Sequence, residues 1–98
     1  MRKSSEKNKI LFDRLVAEID LPLLDTEIER QIGLAIEKKL TTNPELYGEP
    51  LRGKLKGYWK LRVRDWRVVY KIGNKETFIL GIRHRTRIYD ILQKRIQK

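Results

Sequence analysis

Cysteine is missing from this chain of 98 residues, and histidine occurs once, as His84. The first absence excludes disulfides, thiol nucleophiles and thiolate metal sites; the second excludes an imidazole cluster. Metal catalysis is therefore not expected, with carboxylates alone left to hold magnesium. Long apolar runs are also missing. Charges interrupt every hydrophobic stretch within a few residues, so neither a secretory signal nor a membrane span is expected, and the chain is expected in the cytoplasm. Acids are scarce in one half only. Residues 51–98 hold just Asp65, Glu76 and Asp90 against 15 Lys/Arg, a balance of +12, whereas residues 1–50 carry 10 acids against 8 Lys/Arg, a balance of −2. No trustworthy paired-carboxylate site, Ser/His/Asp order or phosphate-cradling glycine motif is found.

What remains is 40% hydrophobic, enough for one modest core, so residues 1–98 read as a single domain whose polar, aperiodic residues 1–9 form a tail. The concentrated positive charge suits a partner bearing phosphates, or an acidic protein, because each neutralised phosphate releases counterions. Excess charge also aids solubility, but solubility does not require it to gather in one half.

Leu11, Leu15 and Ile19, with Phe12 and Val16, recur at helical spacing and predict a helix over 12–19, although Ile10, Leu11 and Phe12 also suit a short strand. Pro22 ends that helix. Thr26 and Glu29 have capping-box spacing, and Ile28, Ile32, Ala35, Ile36 and Leu40 line one face of a second helix over 27–40. Asn43-Pro44 stops it, and residues 47–50 read as a loop. From Tyr58 to Arg64 the alternation is strict, with Trp59, Leu61 and Val63 on one face and Tyr58, Lys60, Arg62 and Arg64 on the other. Strands over 66–72 and 77–83 follow, separated by a turn at 73–76, and Thr86 caps a short helix with Ile88, Ile91, Leu92 and Ile96 on its apolar side. The expected fold is α+β, an N-terminal helical hairpin packed on a three- or four-stranded antiparallel sheet, with a short C-terminal helix.

A tight connection at Asp65-Trp66 would place Arg64 opposite Arg67, Arg62 opposite Val69 and Lys60 opposite Lys71. Residues paired across an antiparallel ladder share a face, so Lys60, Arg62, Arg64, Arg67 and Lys71 would share one surface. An insertion of one residue would spoil that parity. Neighbouring cations repel, a cost easier to understand if the surface meets an anion; the plain alternative is a solvated face stabilised elsewhere. Tyr58 on that face is either a platform for an exposed base or a packed aromatic. At the exit of the last strand, His84 is either a proton carrier or a structural side chain, and Tyr89 either orients a ligand or packs. A phosphodiester-cleaving site built from such cations would suit RNA, whose 2′-hydroxyl attacks the adjacent phosphate once a base removes its proton. Lys60 is the candidate base, because surrounding arginines disfavour its protonated form.

The run Pro50-Leu51-Arg52-Gly53 to Gly57-Tyr58-Trp59-Lys60-Leu61-Arg62-Val63, then Asp65-Trp66-Arg67-Val68-Val69-Tyr70, and finally Ile82-Arg83-His84-Arg85 with Ile88-Tyr89, resembles the RelE/ParE superfamily of type II toxins. The likeness covers residues 50–89 in detail and the first half only in its helical hairpin. It implies a compact α/β toxin paired with a cognate antitoxin, and its RelE branch implies a metal-free and cofactor-free endonuclease acting on mRNA in the ribosomal A site. The resemblance puts Lys60 at a catalytic lysine, Arg62 and Arg67 at phosphate-stabilising cations, Arg83 at the proposed acid and Tyr89 beside the scissile nucleotide. His84 falls where many relatives carry histidine. Around these, Arg52, Lys54, Lys56, Tyr58, Arg64, Lys71, His84, Arg85 and Arg87 are the expected RNA contacts. Arginine is a reluctant proton donor, which makes Arg83 a weak acid candidate. ParE-like members, which poison DNA gyrase, and a non-catalytic RNA-binding module are the competing expectations.

Overall fold

A computed structural model of the chain describes residues 7–96, in which β1 (Lys9–Phe12), β2 (Glu49–Pro50), β3 (Trp59–Val63), β4 (Trp66–Ile72) and β5 (Glu76–His84) form one sheet of order β1-β5-β4-β3-β2. Strand β1 (Lys9–Phe12) runs parallel to β5 (Glu76–His84), from Lys9 opposite Glu76 to Phe12 opposite Ile79. The short strand therefore forms, where the helical spacing predicted a helix from residue 12. Its backbone groups pair with β5 and Ile10 packs against the core, which a helix started at Phe12 would forgo. Of the expected tail, residues 1–6 lie outside the described residues, the Asn8 N–H donates to Thr41 O at 2.7 Å, and Lys9 is already strand.

Asp13 turns the chain from strand to helix, its carboxylate accepting from the Leu15 N–H at 2.9 Å. Helix α1 spans 14–23, widening to a π turn over Val16–Asp20 and tightening to a 3-10 turn over Leu21–Leu23, so Pro22 lies inside the last turn. Helix α2 spans 26–40, with its last turn, Ile36–Leu40, again wide. Its cap is Asp25, whose carboxylate accepts from the Ile28 N–H at 2.9 Å, one residue before the predicted Thr26; the helix simply starts earlier. Pro44–Tyr47 adds a single turn, α3, and Glu49–Pro50 pairs with Lys60 and Trp59 as the two-residue strand β2.

The meander β3 (Trp59–Val63), β4 (Trp66–Ile72), β5 is antiparallel, as predicted, but the whole sheet is mixed because β1 is parallel. Neither edge strand was legible in full: one competes with a helical period, and two residues show no period. Val16, Ile32, Ile36 and Leu40 of the hairpin pack on Leu61, Val63, Val68, Tyr70, Ile79 and Ile82 to make the main core. A second, smaller core lies on the opposite face, where Ile88 and Leu92 of helix α4 (Ile88–Ile96) cover Val69 and Leu55. Full burial of two such side chains stabilises α4 docking by about 1.5–3 kcal/mol each. Gly81 permits that contact, since a Cβ there would stand 2.5 Å from Leu92 Cδ2 and 3.2 Å from Ile88 Cδ1.

Candidate functional site

The β3–β4 connection is Arg64-Asp65, with Val63 opposite Trp66 and Arg64 at φ 58°. Arg62 therefore stands opposite Arg67 and Lys60 opposite Val69, two positions away from the predicted register. A slip of two preserves parity, so Lys60, Arg62, Arg67 and Lys71 do share the face that α4 packs on. Arg64 leaves it. Placed in the turn, its Nη1 donates to Gln31 Oε1 of α2 at 3.3 Å, on the hairpin side of the sheet. Gln31 in turn donates to Glu27, and the Arg30 guanidinium, followed by Gln31, holds the Glu27 carboxyl below its ordinary range.

A bulge decides where Arg83 points. The β4–β5 register steps from Val69 opposite Gly81 to Tyr70 opposite Ile79, leaving Leu80 as the extra residue. One inserted residue reverses the alternation beyond it. Ile82 thereby enters the main core and Arg83 joins Arg67, its direct partner, on the α4 face. Arg62, Arg67 and Arg83 form a row across three adjacent strands. The same reversal sends His84 to the other face. There it meets Trp66 edge-on at 5.7 Å, with Nδ1 2.9 Å from Thr86 Oγ1 and accepting from the Thr86 N–H at 3.3 Å. The contacts of His84 are thus with Trp66 and Thr86, apart from the arginine row.

Next to the row, Lys60 Nζ donates to the Tyr89 hydroxyl at 3.2 Å and lies 5.7 Å from the ring centroid. Lys60 also faces Glu49, whose Oε1 is 3.6 Å from Lys60 Nζ and 3.6 Å from Arg62 Nη2. The residue that sequence reasoning surrounded with arginines is thus paired with a carboxylate and a phenol. Glu49, Leu51, Arg52, Leu55, Lys60 and Tyr89 line an open cleft of about 620 Å³. Position in β2, opposite Lys60, brings Glu49 there; the only hint in the sequence was an acid directly before Pro50 at the border of the basic half. Behind it, the Tyr70 hydroxyl donates to Pro44 O at 2.6 Å, and a Cβ on Gly48 would fall 1.7 Å from that hydroxyl. Only glycine lets the segment before Glu49 approach so closely.

Arg67 is held by its own turn, Nη1 donating to Arg64 O and Trp66 O, both at 2.8 Å. Arg83 Nη1 reaches Asp20 Oδ1 at 3.3 Å. The remaining expected contacts are dispersed. Tyr58 is half-buried against the second core with Lys71 Nζ 5.7 Å from its ring centroid. Arg52, Lys54 and Lys56 are exposed on the loop around the 3-10 turn Gly53–Leu55. Arg85 Nε lies 3.6 Å from Asp65 Oδ1, and Arg87 is exposed just before α4. Among the described residues no group of three or more His, Asp or Glu is placed to hold a metal.

A conserved-domain description, the ParE toxin of type II toxin–antitoxin systems, matches residues 12–89. The chain belongs to this family. It is thus a toxin of the RelE/ParE superfamily, as the motifs around Lys60 and Arg83 implied. The toxin is similar in structure to the RelBE2 toxin–antitoxin complex of Mycobacterium tuberculosis, with TM-score 0.75 and 25% identity over 83% of this chain and 94% of that one. The RelB–RelE complex of Methanococcus jannaschii gives TM-score 0.63 and 24% identity, covering 83% of this chain and 96% of that one. A substituted RelE toxin of Escherichia coli in the free state gives 0.69 and 20%, covering 92% and 98%. No curated protein sequence matches the toxin. Two polar residues of consequence, Glu49 and Asp20, were missed by the reading of the sequence, because each acts from an element whose place in the fold the sequence does not reveal.

Proposed function

We propose that the toxin is a ribosome-dependent mRNA endonuclease that cleaves by 2′-hydroxyl attack, using side-chain cations and no metal. The observation that carries this reading is the cleft itself, where a carboxylate, an ammonium and a phenol meet beside a row of three arginines. A base takes the 2′-hydroxyl proton, O2′ bonds to the adjacent phosphorus, the P–O5′ bond breaks, and the 5′ oxygen receives a proton. Glu49 is the acceptor by chemistry, more than half exposed at the rim, whereas Lys60 must first lose a proton to act as one. We therefore assign Glu49 as base and move Lys60 to the donor side, toward the leaving oxygen. Arg62, Arg67 and Arg83 stabilise the charge that develops on the phosphate, and Tyr89 orients the nucleotide. Arg83, already bonded to Asp20, contributes charge rather than a proton.

The expected partner besides mRNA in the ribosomal A site is a cognate antitoxin whose acidic or amphipathic segment covers the basic face and α4. The M. tuberculosis and M. jannaschii relatives are toxin–antitoxin complexes, which supports such a partner. A second reading, gyrase inhibition without cleavage, is favoured by the name of the matching family, ParE. Both are tested by adding purified toxin to a cell-free translation reaction and mapping new mRNA ends by primer extension, with a translation-blocked control. Codon-phased cuts that vanish in the control and fall at least 100-fold in Glu49→Gln are expected, on the order of a lost general base. Intact mRNA together with inhibited supercoiling by gyrase would instead establish the second reading.

A further inference from the structure

Asp20 is completely shielded from solvent, the only such acid among the described residues, and no step of the proposed cleavage uses it. It projects from the wide turn of α1 onto the part of β5 that β1 no longer covers. Its Oδ2 accepts from the Ile82 N–H at 2.8 Å and from Arg95 Nη1 at 2.9 Å, and its Oδ1 accepts from Arg95 Nη2 at 2.8 Å and Arg83 Nη1 at 3.3 Å. Arg95 Nη1 also donates to Leu80 O at 3.1 Å. The carboxylate and this guanidinium together take the place of a neighbouring strand along the open edge of β5.

Satisfying one edge N–H requires only a neutral acceptor. Two guanidinium groups on one carboxylate, with side chains 12% and 19% exposed, leave an excess positive charge largely out of water, which is unfavourable as a device for stability alone. What distinguishes the two arginines is where they lead. Arg83 ends the row Arg62–Arg67–Arg83, and Arg95 belongs to α4, the helix that carries Tyr89. We propose that Asp20 is a positioning residue: it fixes Arg83 and, through Arg95, seats α4 so that the Tyr89 hydroxyl stands against Lys60. The proposal rests on the nuclease reading of the cleft for its functional meaning, while the positioning itself is visible without cleavage.

The test uses the full chain and two readouts, single-turnover mRNA cleavage on ribosomes and the NMR signals of the arginine Nε–H groups and the Tyr89 ring. Asp20→Asn retains the acceptor for Ile82 but loses the charge. In that variant the cleavage rate constant falls about 10- to 100-fold with the half-saturating ribosome concentration unchanged. The Arg83, Arg95 and Tyr89 signals move, and those of the α2 core stay. Arg95→Gln leaves Asp20 bonded to Arg83 and Ile82; here Tyr89 moves, Arg83 does not, and cleavage falls by a similar factor. The double variant D20N/R95Q loses no more than the worse single one, because both act through one contact. Native-like cleavage, or unmoved Arg83 and Tyr89 signals, in a folded Asp20→Asn overturns the proposal. Should that variant not fold, Arg95→Gln decides, and native-like cleavage or an unmoved Tyr89 ring there overturns the proposal. Signals that move as described in a toxin that cuts no mRNA uphold the positioning and sink the nuclease reading instead.

Discussion

Tyr70 is buried and its hydroxyl donates to Pro44 O. Burial pushes the phenol above its ordinary value of 10.0. The unfolded chain ionises Tyr70 near that value and the folded chain does not, so its contribution to stability is fully present below about pH 10 and declines as pH rises above it. Denaturant titrations at pH 8 to 11 are expected to show that decline in the native toxin and a flatter profile in Tyr70→Phe. At neutral pH the same variant loses one buried hydrogen bond, a change of about 1 kcal/mol, while the Gly48 N–H at 3.2 Å still donates to the Pro44 carbonyl. The loss should reach the site. Pro44 and Gly48 bracket the turn that leads to Glu49, so loosening the Tyr70 anchor loosens the proposed base as well.

At the scale of elements, the placement of α4 depends on Gly81 and on the bulge at Leu80. Gly81→Ala sets a methyl 2.5 Å from the Leu92 side chain, which is itself fully buried and has little room to retreat. The helix must rise from the sheet. Overpacking of this kind costs about 1–3 kcal/mol, to be read by chemical denaturation, and faster amide exchange in α4 than in α2 would locate the damage. Unchanged stability and exchange would mean that the helix shifts freely, against a packed second core. The bulge has a different consequence. Deleting Leu80 would remove only the extra residue, leaving Ile79 opposite Tyr70 and Gly81 opposite Val69, so Ile82 and Arg83 are expected to keep their faces and the deletion variant to fold, as is the conservative Leu80→Ile. Circular dichroism of the two variants checks both outcomes.

The molecule as a whole carries a formal net charge of +10, and two of its acids stand against the cations of the site. Glu49 contacts Lys60 and Arg62, and Asp20 contacts Arg83 and Arg95. Like charges aligned across three strands are thereby tolerated in the free protein, and the proposed function leaves the exposed remainder to phosphates. Binding of the toxin to single-stranded RNA should weaken steeply with salt. Arg67→Gln is expected to flatten the plot of log affinity against log salt by about 0.7, the value of one phosphate contact on a single strand. An unchanged slope would remove Arg67 from the phosphate contacts. No described helix is long and apolar enough to cross a membrane, in line with the interrupted hydrophobic runs.

Periodicity and charge patterning alone determined the two-helix start, the antiparallel meander, the C-terminal helix and the alternation that sets Lys60, Arg62 and Arg67 on one face. Those features are local, and alternation survives even a register error of two, which is why the wrong turn at Asp65-Trp66 cost the implied face only Arg64. The motifs of residues 50–89 also identified the toxin superfamily. Only the tertiary structure decided the rest. Strand β1 exists because β5 offers an edge, Arg64 leaves the cationic face because the turn takes it, and His84 and Arg83 exchange faces because of one extra residue at Leu80. Glu49 and Asp20 are each far in sequence from the cations they meet. No pattern along the chain encodes such meetings, since they follow from which edges and faces are left open once the helices and strands have packed.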